Sequence, residues 1–156
     1  MSNISIDKTV PADFLQIAAL DRIAWLNNAH GEFIPDGEHV WRIWCQHSVM
    51  FSAKCNDEIV GAILAFSCED GRYCLHKVLV NDNHRGKGIG GKLFEALLFE
   101  LDSNNVECFL TVDPNNSHAI ALYESWGFNE REFVEGFYRP HEHRYVLTRP
   151  LKTNVF

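Results

Sequence analysis

The chain has 156 residues, 46% of them hydrophobic and 22% charged, with a formal net charge of −7. Those proportions describe a soluble folded protein and exclude a disordered one, and no apolar run nears the roughly 20 residues of a membrane span. The acidic balance excludes the basic face that a nucleic-acid partner requires.

The first residues, "MSNISIDKTVPADF", hold neither a basic n-region nor an apolar h-region, so they do not read as a signal peptide and a cytoplasmic setting is expected. Five scattered cysteines without a C-x-x-C pair agree with a reducing compartment. There is no internal repeat or linker, and the expectation is a single domain over residues 1–156.

In chain order, "ISI" at 4–6 reads as a strand. "PADFLQIAALDRIAWLNN" follows, with apolar residues at 14, 17, 18, 20, 23, 24 and 26, the spacing of a helix that opens near Pro11. "GEFIPDGE" is a turn-rich loop and "HVWRIWCQH" a second helix. "VMFSAKC" and "EIVGAILAFSC" form a hairpin about Asn56 and Asp57, and Asp70-Gly71 turns the chain into the strand "RYCLHKVLV". After a glycine-rich loop, "IGGKLFEALLFELDS" is an amphipathic helix with its stripe at 89, 93, 94, 97, 98 and 101. The strand "VECFLTV" leads to a helix capped by Asn115 or Asn116 and stopped at Gly127, and "FNEREFV" and "HRYVLTRPL" close the chain as strands. Seven strands and four helices in this order predict a mixed sheet of the α/β (α+β) class with helices on its faces.

The loop "NHRGKGIGGK" fits three phosphate-binding patterns at once. Gly86, Gly91 and Lys92 give G-x-x-x-x-G-K, but a P-loop needs a hydroxyl next to hold Mg²⁺, and Leu93 stands there on the apolar stripe. Gly86, Gly88 and Gly91 give G-x-G-x-x-G. A dinucleotide fold sets its first glycine hard against the strand, whereas Asn81 to Arg85 intervene, and the antiparallel ending leaves no room for further βα units. Asp113 would be that fold's ribose acid. The third pattern is R-x-x-G-x-G, from Arg85, Gly88 and Gly90.

With its flanks, "LHKVLVNDNHRGKGIGGKLFEALL" resembles motif A of the GNAT acetyltransferases, and "NNSHAIALYESWGF" resembles their motif B. Motif B is closest to the RimI-type ribosomal-protein alanine acetyltransferases of that family. The resemblance implies the GNAT fold, with parallel strands 4 and 5 splayed to admit acetyl-CoA as acyl donor, and no metal. It implies transfer of the acetyl group to a primary amine by direct attack in a ternary complex. Two alternatives stand beside it: RimI-like acetylation of a protein N-terminus, and a non-catalytic acetyl-CoA-binding sensor or interaction module.

Site residues follow from the same resemblance. The loop Arg85, Gly86, Lys87, Gly88, Ile89, Gly90 and Gly91 would bind the pyrophosphate. Its glycines admit the backbone to the phosphates, and the helix behind it aims N–H groups and a positive dipole end at them. The strand edge Val78, Leu79 and Val80 would pair with the pantetheine, and Asn116 would contact that arm. Tyr123, four residues before Gly127, matches the tyrosine that protonates the departing thiolate. The base is sought elsewhere. Some members place a glutamate where Cys74 stands, and the RimI type places one where Thr111 stands, so His76, an imidazole on the strand face of Cys74, is the candidate with Glu32 behind it and a base acting through ordered water as the further alternative. Acceptor choice falls to "WLNNAHGEFIPDGEHVW" and "EGFYRPHEHRY". Glu32 and Phe33 are taken as substrate-binding, and Asp36 and Glu38 beside Trp25 and Trp41 would hold an ammonium. His141 and His143, at i, i+2 on a strand, would share a face without a third metal ligand. The resemblance also allows a homodimer, which the aromatics Trp41, Trp44 and Phe156 could serve if they are exposed, with no interface assigned.

Overall fold

The computed structural model describes residues 3–27 and 34–152. Glu32, Phe33 and Phe156 lie outside the described residues. The elements are β1 (Ile4–Lys8), α1 (Phe14–Asn27), α2 (Glu38–His47), β2 (Val49–Cys55), β3 (Glu58–Ser67), β4 (Tyr73–Val80), α3 (Ile89–Ser103), β5 (Cys108–Val112), α4 (Ser117–Ser125), β6 (Glu130–Val134) and β7 (Arg144–Arg149). This is the order read from the sequence. The strands form a seven-stranded mixed sheet in the order β1-β2-β3-β4-β5-β7-β6. No helix among the described residues is long and apolar enough to cross a membrane.

By packing, the chain divides into two compact units. The first runs to Phe66 and resumes over Lys77–Leu98. Its β2–β3 hairpin turns on Asn56 and Asp57 at φ 51° and 67°, the two left-handed residues that a tight hairpin turn demands. Helix α1 is entered through a short 3-10 turn, where the Asp13 carboxylate accepts from Val10 N–H at 3.0 Å. Its buried side carries Ile17 and Ala18, with Phe14, Leu20 and Ala24 packed against the same core. The apolar stripe is wider than the buried one, since Ile23 and Leu26 are 52% and 64% exposed.

Gly61 lies at the packing centre of this unit. A Cβ there would stand 2.9 Å from the Leu79 carbonyl and 3.3 Å from side-chain carbons of Ile89 and Leu93. Only a bare α-carbon lets α3 and β4 approach β3 this closely. Trp41 corrects the expectation of a dimer surface: it is fully buried, with its indole N–H donating to Asp21 at 3.2 Å and its ring edge-on to Trp44.

The second unit comprises Ser67–His76 and the residues from Phe99 onward. β5 and β7 pair antiparallel over their length, β6 pairs with β7, and the start of β4 runs parallel to β5 through Tyr73–Cys108 and Cys74–Phe109. That pairing reaches neither Leu75 nor His76, although β5 continues to Val112. Asn116 caps α4 by accepting from Ala119 N–H at 3.1 Å. At the other end, Gly127 (φ 99°) and Phe128 donate to the carbonyls of Glu124 and Tyr123 at 3.0 and 3.2 Å, a Schellman stop. Arg149 ties the unit together. Its guanidinium holds the Asp102 carboxylate through two bonds of 2.6 and 3.1 Å, while Nε donates to the Trp126 carbonyl at 3.0 Å.

Candidate active site

In the first unit, β4 ends against a polar link that is folded locally. Asn81 N–H donates to the Val60 carbonyl at 2.8 Å, and the Asn81 side chain accepts from Asn83 N–H at 2.9 Å. Arg85 turns back on Asp82 at 3.0 Å, and the other Asp82 oxygen accepts from Asn27 at 2.9 Å. Gly86 and Gly88 follow at φ 78° and 75°, both in the left-handed region, and nothing lies within 4 Å of where their Cβ atoms would be. Ile89 then opens α3, with its side chain 2% exposed in the core.

Two left-handed glycines with open space above them, leading into a helix whose first-turn N–H groups have no intrahelical acceptor, form a cradle for an anion that approaches the backbone. Lys87 is exposed beside it, and the Nδ1 of His84 is buried without a hydrogen-bond partner. These features fit the pyrophosphate of coenzyme A. Leu79 and Ile89 point into the core, so only their backbone groups can serve a ligand. A cavity of about 250 Å³ adjoins the link, walled by Leu20, Ile23 and Ala24 of α1 and by Leu79, Val80, Asn81, Asp82, Asn83 and Arg85.

The same unit shows how the acidic residues of the α1–α2 region are engaged. Asp21, 2% exposed, accepts from Trp41 with one oxygen and from the Lys77 ammonium, at 2.9 Å, with the other. Asp36 pairs with the same ammonium at 3.6 Å, and Glu38 lies 3.9 Å from Arg22. An internal lysine thus stands where an incoming ammonium was expected at Asp36. The signal for it was present in the sequence, because Asp21 falls on the apolar stripe of α1 and a buried carboxylate needs a cation.

In the second unit, Tyr123 is half-buried in α4 with its ring edge-on to Phe128. Burial pushes its phenol above the ordinary value of 10.0, so it keeps its proton at neutral pH. His76 is exposed on β4, on the face that also carries Cys74. The Cys74 thiol is pushed up to about 12, first by burial and then by Cys68, which makes it no base. Thr111 is half-buried on β5 opposite Val146. His141 and His143 lie in a turn ahead of β7 rather than on a strand, because Gly136 (φ 61°) folds the connection and donates its N–H to His143 Nδ1 at 2.9 Å. Among the described residues no group of three potential metal ligands occurs.

Residues 17–128 match the model of the acetyltransferase (GNAT) family. An N-alpha-acetyltransferase of Saccharolobus solfataricus is 37% identical over 76 residues, 47% of this chain and 46% of that protein. A [ribosomal protein bS18]-alanine N-acetyltransferase of Salmonella typhimurium is 35% identical over 81 residues, 49% of this chain and 55% of that protein. The chain thus spans about half the length of the curated relatives it matches. The crystal structure of the ribosomal-protein-S18-alanine N-acetyltransferase from Escherichia coli superposes with a TM-score of 0.78 at 22% identity, over 98% of this chain and 97% of that one. That likeness is one of fold.

Proposed function

The chain belongs to the GNAT family of acetyltransferases, and from that membership we propose that it transfers the acetyl group of acetyl-CoA to a primary amine, in the cytoplasm. The observation that carries this reading is the open left-handed pair Gly86 and Gly88 at the start of α3. Bound acetyl-CoA supplies the activated thioester. The amides of Gly86 to Gly91 hold its pyrophosphate, Arg85 and Lys87 add charge, Val78 to Val80 offer a strand edge to the pantetheine, and Asn116 contacts that arm. His76 takes the proton that the amine loses as its nitrogen attacks the carbonyl carbon. Tyr123 gives its proton to the departing sulfur, a role supported by burial that keeps the phenol protonated. The residues Glu32 and Phe33 are proposed to meet the acceptor.

A narrower reading, acetylation of a protein N-terminus, is supported by two of the curated relatives, an N-alpha-acetyltransferase and an alanine N-acetyltransferase of a ribosomal protein, while a spermine/spermidine N(1)-acetyltransferase of Bacillus subtilis, 35% identical over 63 residues, supports a polyamine acceptor. Coenzyme A release, followed over polyamines, aminoglycosides, amino acids and peptides with free N-termini, tests both. Turnover of peptides alone selects the narrower reading. Tyr123→Phe should lower kcat by about 10²-fold while calorimetry finds acetyl-CoA affinity unchanged. Acetyl-CoA binding without release to any amine would leave a binding module, and absence of binding would remove the proposal altogether.

A further inference from the structure

We propose that Arg144 binds a carboxylate carried by the acceptor, an inference that rests on the acetyl-transfer reading. The neighbouring arginines of the second unit are each matched to an acid: Arg131 to Glu124, Arg139 to Glu142 and Arg149 to Asp102. Arg144 is not. Its guanidinium donates to the His143 carbonyl at 2.7 Å and lies 4.8 Å above the Tyr138 ring, and no carboxylate among the described residues comes within ion-pair reach.

A half-buried guanidinium without a carboxylate partner keeps donors of its fork open to an anionic ligand. Here the side chain is also held in place. The ring beneath and the carbonyl beside it fix the plane of the fork, so the ordering that a bidentate ligand would otherwise impose is already done. Its backbone is fixed as well, since Arg144 pairs with Val134 and the next residue, Tyr145, pairs with Val112, the last residue of β5. Ligands of open α/β sheets bind beyond the carboxyl ends of their strands, and Arg144 opens β7 one residue past the carboxyl end of β5. Around it Phe133 and Tyr138 are 52% and 47% exposed, the aromatic and arginine composition of a recognition surface. In a chain of net charge −7, an anionic acceptor needs such a local cation to dock.

Two acceptors carry the required group, a peptide with an acidic side chain near its N-terminus and a free amino acid with its α-carboxylate. kcat/KM is measured for hexapeptides beginning Ala-Glu and Ala-Gln, and for lysine against lysinamide, with the wild type, Arg144→Gln and Arg144→Lys. The acid-bearing member of one pair should be favoured about tenfold, the effect of one charge-assisted contact. Arg144→Gln should bring that ratio to within about twofold, with acetyl-CoA affinity and Tm unmoved, and Arg144→Lys should retain part of it. The pair that shows the preference identifies the source of the carboxylate. Equal use of both members, a preference that survives Arg144→Gln, or no turnover of any of the four overturns the inference. The broader reading is judged apart from it, by coenzyme A release to polyamines and aminoglycosides, which carry no carboxylate.

Discussion

At the scale of single residues, the cradle glycines separate binding from folding most cleanly. Gly88 has a left-handed φ of 75° and empty space where a Cβ would sit. Alanine there adds backbone strain of about 1 kcal/mol and places a methyl group where the phosphates are proposed to lie. Gly88→Ala should therefore weaken acetyl-CoA binding at least tenfold by calorimetry, with Tm falling only a few degrees. Unchanged affinity would remove the loop from the binding site. This residue was legible in the sequence, because a glycine pattern between a strand and a helix has few uses. Arg144 was not, since its distinction is the absence of an acidic neighbour, and absence of a contact is visible only once the contacts of the other arginines are known.

Among elements, α1 and β4 are joined by a charge buried for a purpose other than catalysis. Asp21 is held from one side by Trp41 of α2 and from the other by Lys77, which reaches on to Asp36. Removing the cation strands a buried carboxylate, so Lys77→Met should cost about 3–5 kcal/mol, measured by denaturant unfolding. Lys77→Met with Asp21→Asn should recover a good part of that loss, because the stranded charge goes with it. Little loss in the single variant would mean that water already solvates Asp21. Periodicity predicted both helices, and it overstated the buried face of α1 because it counts apolar residues without knowing where the neighbouring elements end. It also left Trp41 on the surface, where a tryptophan with one polar atom is ambiguous until its partner is found. The histidines of "HEH" were read as strand residues for a similar reason, since the turn that holds them depends on a bond from Gly136 seven residues before His143.

For the molecule as a whole, the buried and half-buried thiols set a limit on alkaline stability. Burial pushes Cys45 up to about 11, and Cys74 and Cys108 each up to about 12, from the usual 9.0. These groups keep their protons in the folded state while the unfolded chain releases them, so the unfolded state binds fewer protons above pH 9 and stability falls as pH rises from there toward 12. Tm should be level through neutral pH and decline steadily above pH 9, and Cys108→Ala should make that decline shallower. A decline with the same slope in the variant would assign it to other groups. The order of all eleven elements was readable in advance, because hairpin, cap and stripe signals agree along the chain; the splaying of strands 4 and 5 was expected from the family resemblance alone, because the point at which their pairing stops, Cys74–Phe109, leaves no local mark. The outer strand β6 carries a further consequence. Its residues Glu130, Arg131, Glu132 and Phe133 are exposed at the end of the strand order. A twofold antiparallel match between two copies of such a strand sets some residue opposite itself, and the match of longest overlap sets Glu132 against Glu132. Shifted by one residue, it sets Arg131 against Arg131. Like charges meet in either register, so this edge is guarded against growing the sheet from one molecule into the next by the sign of two side chains.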